Sequence, residues 1–144
     1  MKVMQIGYGL FGRWWAPQVL DFPGMELVAL VDAHEAALQE AREATGLPRS
    51  ALFLDLDEAL AQVPADGLLC VTPPAFHREH ATAAMRAGLD VIVEKPLALD
   101  MEDARAMAGV AKETGRLLAV SQNYRYRPEA WTLRGEIQQG RIGE

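Results

Sequence analysis

Val3-Met4-Gln5-Ile6-Gly7-Tyr8-Gly9-Leu10-Phe11-Gly12 joins a short apolar run to a G-x-G-x-x-G turn, and Asp32 stands 20 positions past its last glycine. A strand ending in such a turn bends tightly, lets backbone amides approach a pyrophosphate and aims the next helix's N-terminus at negative charge. Asp32 closes the run Glu26 to Val31, which places its carboxylate at a second strand's tip, within reach of adenosine ribose hydroxyls. Glycine-rich turns also serve flavins, S-adenosylmethionine and purely structural ends, so the glycines alone leave those readings open. The preceding strand, the following helix and the acid at this distance together select a dinucleotide.

Working outward, strand and helix patterns alternate without a break. Residues 2–6, 26–31, 51–54, 67–71, 89–93 and 117–121 are short and nearly uninterrupted in apolarity, as strands covered on both faces should be. In 33–45, Ala37, Leu38, Ala41, Ala44 and Thr45 form one stripe and Gly46 supplies a left-handed stop. In 100–114, Asp100 caps, Ala104, Met107, Ala108 and Ala111 form the stripe, and Gly115 terminates. Residues 76–87 end at Gly88 in the same way, and a last helix covers about 129–139. The pattern predicts an α/β fold: a doubly wound parallel sheet of three layers in a single domain. Pro17 falls about one turn into the first helix, which predicts an irregular start or a kink there.

Bulk properties exclude several classes. The chain has 144 residues, enough for a core without staples, and 20 acidic against 14 basic residues, for a net charge of −6. That balance, with no basic cluster, repels nucleic acid and anionic membrane. No apolar run approaches the roughly 20 residues of a membrane span, and no signal peptide is legible, so the expected compartment is the cytoplasm. Cys70, within Gly67-Leu68-Leu69-Cys70-Val71, reads as a core thiol. His77 and His80 stand beside Glu79 at helical spacing, but nothing completes a metal site, and none is expected.

Val71-Thr72-Pro73-Pro74-Ala75-Phe76-His77 and Ala87-Gly88-Leu89-Asp90-Val91-Ile92-Val93-Glu94-Lys95-Pro96-Leu97 form a second signature. With Asn123-Tyr124-Arg125-Tyr126-Arg127-Pro128 and Gly140-Arg141-Ile142-Gly143-Glu144, in this order, the chain resembles the N-terminal half of the glucose-fructose oxidoreductase, inositol dehydrogenase and rhizopine-catabolism (Gfo/Idh/MocA) family. The resemblance covers essentially the whole chain. It implies that Gly7, Gly9 and Gly12 line the pyrophosphate turn, that the amides of Leu10 and Phe11 donate to it, and that Asp32 holds the adenosine ribose. It also implies that Thr72, Pro73 and Pro74 pass beside the nicotinamide ribose with His77 near it. Glu94 and Lys95 then reach that ribose and the reacting substrate carbon, and Lys95–Pro96 is often cis in relatives.

Lys95 makes sense from chemistry as well. Oxidising a secondary alcohol needs a hydride acceptor and loss of the hydroxyl proton, and an ammonium stabilises the developing alkoxide. An unperturbed lysine titrates at about 10.4 and a neighbouring Glu94 favours its charged form, so Lys95 reads as donor and electrostatic stabiliser, the catalytic residue of this segment. Tyr124 and Arg125 follow the sixth strand at the sheet's carboxyl edge, where substrate binding and packing against another domain are both open. Trp14 and Trp15 follow the glycine turn, where relatives often carry a smaller residue or a histidine; core filling, a cleft wall and substrate stacking are the readings. Arg13 faces either the pyrophosphate or water, and His34 reads as a solvated helix residue.

Residues 1–122 are thus expected to form the dinucleotide-binding domain, and 123–144 a connecting segment and helix. Relatives continue into a second domain carrying most of the substrate pocket, the catalytic histidine and aspartate and the subunit interface. The resemblance therefore implies part of a longer, homo-oligomeric enzyme, inactive by itself, that acts on a sugar, polyol or related hydroxy compound, and the Asp32 carboxylate, which accepts from a ribose 2′-hydroxyl and repels a 2′-phosphate, points to NAD rather than NADP. Two other classes stand beside it. Some relatives sense dinucleotide without turnover, and a Rossmann domain for coenzyme A explains the glycines but not residues 72–96.

Overall fold

The computed structural model describes residues 1–143; Glu144, the last residue of the G-x-I-G block, lies outside them. Six parallel strands form one sheet in the order β3-β2-β1-β4-β5-β6: β1 (Lys2–Ile6), β2 (Glu26–Val31), β3 (Leu52–Phe53), β4 (Gly67–Cys70), β5 (Asp90–Val93) and β6 (Leu118–Val120). The helices are α1 (Leu10–Asp21), α2 (Glu35–Thr45), α3 (Leu56–Gln62), α4 (His77–Arg86), α5 (Met101–Thr114) and α6 (Pro128–Gln138).

Successive strand residues point to opposite faces, and the core divides accordingly. Val3, Leu27, Leu30, Leu52 and Leu69 pack with Ala16 and Val19 of α1 and Leu38 and Ala41 of α2. Met4, Val31, Phe53, Leu68 and Cys70 pack on the other side with α3, α4 and α5, through Ala59, Ala81, Met85 and Met107. The Cys70 thiol is fully buried, and that burial pushes its pKa up, so it behaves as the core residue its sequence context indicated.

Several local expectations are corrected. Helix α1 runs through Pro17 as one element, because Pro17 and Arg13, whose carbonyl loses its partner, both lie on the exposed face where water reaches them. Ala44 and Ala108 point outward, and Val110 takes the buried place on α5. Helix α3 is an element the apolar pattern does not reveal. Its signal is Asp55, whose Oδ1 accepts from the Glu58 amide at 2.9 Å and so caps the helix. Strand β3 is only two residues long, since Arg49–Ala51 form a short 3-10 turn. The last two strands are not covered on both faces: Ile92, on the side of α1 and α2, is 38% exposed. Helix α6 buries no residue, and Trp131, Leu133 and Ile137 stand exposed along it.

The order reverses between β1 and β4, so the turns leaving these two strands diverge and open a crevice at the sheet's carboxyl edge. The ladder carries each turn to its place. Gly7 N donates to Val31 O at 2.8 Å, Val71 N to Ile6 O at 2.8 Å and Glu94 N to Cys70 O at 2.9 Å.

Candidate functional site

The three glycines of the first turn are required for different reasons. Gly7 has φ +94°, and a Cβ there would lie 2.7 Å from Val71 O. A Cβ on Gly12 would collide with the Gly7 carbonyl, so α1 packs against the turn only because this side chain is absent. Gly9 is different. Its backbone is extended (φ −72°, ψ −160°), and a Cβ on it would meet no protein atom within 4 Å. No contact within the fold requires the missing side chain at Gly9, which is the N-cap of α1. Gly9, Leu10 and Phe11 line the crevice at the start of α1, whose first amides have no intrahelical acceptor, and no acidic side chain occupies its first turn.

Beneath the turn lies Gln5, a buried residue that strand reading counted among the apolar ones. Its Nε2 donates to Gly7 O at 2.9 Å and Gly12 O at 3.0 Å, bracing both ends of the loop, while its Oε1 finds no hydrogen-bond partner among the described residues. Nothing in the sequence signals this role, because it depends on how α1 folds back over β1.

At the tip of β2 the Asp32 carboxylate is 12% exposed and lines the crevice. Oδ2 accepts from Tyr8 N at 2.7 Å, and Oδ1 from His34 N at 2.9 Å, with His34 Nδ1 at 3.1 Å. Asp32 therefore ties the glycine turn to β2 as well as facing the crevice. His34 precedes α2 as its N-cap position and contacts Asp32, rather than lying within the helix. Arg13 pairs with Glu40 of α2, away from the turn.

Across the crevice, Thr72, Pro73 and Pro74 form the lip after β4. His77 does not reach the cavity. It is fully buried, with Nε2 2.8 Å from Thr72 O and Nδ1 3.0 and 3.2 Å from the Pro96 and Leu97 carbonyls. It thus ties the Thr72 turn to the Lys95–Pro96–Leu97 turn. His80, one helical turn on, lines the cavity instead; its Nδ1 lies 3.2 Å from Thr72 Oγ1, and burial holds its pKa below the ordinary histidine value. The two histidines therefore share no ligand position, and among the described residues no three His, Cys, Asp or Glu side chains converge on a metal site. Replacing His77 by alanine leaves three carbonyls without their ring partner and opens a cavity, so His77→Ala should cost about 2–4 kcal/mol of stability in urea unfolding. Intact stability with lost cofactor affinity would instead return His77 to the ligand.

Glu94 and Lys95 end β5 at the same crevice, and the Lys95–Pro96 bond is cis. Glu94 is buried, which obliges its carboxylate to find donors. Oε1 accepts from Trp15 Nε1 at 2.8 Å and Oε2 from Lys95 N at 2.9 Å. The Lys95 ammonium lies instead over the Phe11 ring, 4.6 Å from its centroid. Trp15 is half-buried and in edge contact with the exposed Trp14, at 5.3 Å between centroids. Tyr124 and Arg125 are not in this crevice. Arg125 lines a separate shallow depression with Trp131 and Arg134, and the Tyr124 ring stacks on Arg127.

A cavity of about 730 Å³ thus joins the glycine turn, Asp32, the Thr72 lip and the Glu94–Lys95 end at the point where strand order reverses. This fold and site define a dinucleotide-binding domain of the Rossmann class. Residues 1–122 match the family model described as an oxidoreductase family with an NAD-binding Rossmann fold. The chain is 34% identical over 138 residues to D-apiose dehydrogenase of Paraburkholderia graminis, covering 96% of this chain and 36% of that protein. It is 34% identical over 139 residues to inositol 2-dehydrogenase of Rhizobium meliloti, covering 96% and 41%. Scyllo-inositol dehydrogenase from Lactobacillus casei, solved with bound NAD(H) and scyllo-inositol, superposes with a TM-score of 0.91 at 25% identity, over 100% of this chain and 42% of that one. The chain belongs to the Gfo/Idh/MocA oxidoreductase family and is its NAD-binding domain. It spans less than half the length of these relatives.

Proposed function

We propose that this domain binds NAD in preference to NADP and presents it to a sugar, polyol or related hydroxy compound, in an enzyme whose further domain supplies the rest of the substrate pocket. The observation that carries this reading is the single cavity holding Gly9, Asp32 and Lys95 together. When bound, the nicotinamide supplies the hydride acceptor. Gly9 leaves the path beside the Leu10 and Phe11 amides open to the pyrophosphate, and the Asp32 carboxylate accepts from an adenosine ribose hydroxyl. Glu94 accepts from a ribose hydroxyl through the lone pairs that Trp15 and the Lys95 amide leave free. The Lys95 ammonium, which rests on the Phe11 face, would turn to the substrate oxygen and stabilise the negative charge that grows there.

The names of the relatives support the substrate class: apiose and inositol are both polyhydroxylated. The exposed apolar side chains of α6 belong in this reading to contacts with the further domain or with a second subunit. No described helix is long and apolar enough to cross a membrane, and the reading places the protein in the cytoplasm.

Calorimetric titration with both cofactors tests the cofactor choice. A carboxylate already fixed by the Tyr8 and His34 amides repels a 2′-phosphate and cannot swing away, so NAD should bind more tightly than NADP. Asp32→Ala should shrink that preference. Equal or tighter NADP binding to the unaltered chain would remove the assignment of Asp32.

A further inference from the structure

Glu94 presents a buried carboxylate at the same crevice as the Lys95 ammonium, and the role of its indole partner rests on the dinucleotide reading of this cavity. Glu94 and Lys95 follow β5 in succession, and because successive side chains along a strand alternate in direction the two are not set to close into an ion pair. Among the described residues the Lys95 ammonium meets no carboxylate within 4.0 Å. Glu94 Oε1 accepts from the Trp15 indole N–H at 2.8 Å and Oε2 from the Lys95 backbone amide at 2.9 Å, which fixes the carboxylate and leaves each oxygen a lone pair. The ammonium lies over the Phe11 ring instead.

We propose that Trp15 is the positioning residue of Glu94: its indole N–H holds the buried carboxylate in one orientation as a fixed acceptor for the cofactor ribose, without bringing a second charge beside the Lys95 ammonium. An indole suits the task because its N–H donates, does not titrate and carries no charge. It leaves the Glu94 charge in place, whereas a cation at the same position would neutralise it. The donor also comes from α1, the helix that starts at the glycine turn, so the turn and the group that fixes Glu94 are carried by one element. Phe11 lies one turn earlier on that helix and supplies the surface on which the ammonium rests. Trp14 packs edge-on against Trp15.

Two measurements test this on the chain itself. In ¹H–¹⁵N spectra the Trp15 indole N–H, assigned by its disappearance in Trp15→Phe, should exchange slowly with solvent in the unaltered chain and at least about ten-fold faster in Glu94→Ala, which removes its acceptor. NADH binding is then measured across the cycle of Trp15→Phe, Glu94→Ala and the double variant. Trp15→Phe keeps the ring and loses the donor, and should weaken binding about ten-fold alone but less than about two-fold in the Glu94→Ala background. Effects that multiply would reduce Trp15 to packing and overturn the proposal, as would indole exchange indifferent to Glu94. Should Trp15→Phe melt too low to titrate, the exchange result in Glu94→Ala decides. Absence of NADH binding by the unaltered chain would instead remove the dinucleotide reading, and this role with it.

Discussion

Gly9→Ala should lose NAD by about 100-fold while the protein stays folded, and Gly12→Ala should fail in the opposite way. At Gly9 the added methyl meets no protein atom, and the extended backbone accepts an alanine. The change in stability should therefore stay within about 1 kcal/mol, since a compatible glycine replacement gains a few tenths through the unfolded chain and a poorer N-cap loses a similar amount. The same methyl projects into the cavity beside the Leu10 and Phe11 amides, where it would hold the pyrophosphate off. Loss of one or two charge-assisted hydrogen bonds costs about 3 kcal/mol, which is the 100-fold expected. At Gly12 the methyl overlaps the Gly7 carbonyl, backbone against backbone, which should cost about 3 kcal/mol or more. Calorimetry for affinity and thermal melting for stability separate the two outcomes. NAD binding undiminished in folded Gly9→Ala would mean that the cofactor does not pass along this turn.

Lys95→Ala, in the enzyme that carries this domain with its substrate domain, should lower kcat by about 10²- to 10³-fold, the usual worth of one preorganised donor at a developing oxyanion. Cofactor affinity should stay within a few-fold, because the ammonium rests on Phe11 and is not a partner of Glu94. A kcat unchanged by the substitution would return Lys95 to a surface role beside a turn.

Much of the candidate site was legible because its signals are local. The glycine spacing, the acid closing the second strand and the Glu94-Lys95-Pro96 string each sit within a few residues, and each strand end reaches the crevice once the sheet is parallel. Two assignments depended on orientation and read differently in three dimensions. His77 follows the Thr72-Pro73-Pro74 turn closely enough to suggest a ligand contact, yet its ring points inward to three carbonyls, and His80 faces the cavity. Tyr124 and Arg125 follow a strand at the right edge of the sheet, but the chain turns away after β6 and carries them elsewhere.

By itself the sequence determined the parallel α/β architecture, the left-handed stops at Gly46 and Gly115, the Asp100 cap and the glycine turn after β1, because these follow from two-residue and 3.6-residue periodicities and from what glycine alone allows. Only the tertiary structure decided that Gln5 braces the turn, that Asp32 ties it to β2, and that Trp15 holds Glu94 from 79 residues away. Those partners are brought together by the crossovers between strands, and a hydrogen bond made across a crossover leaves no periodicity in the chain by which to find it.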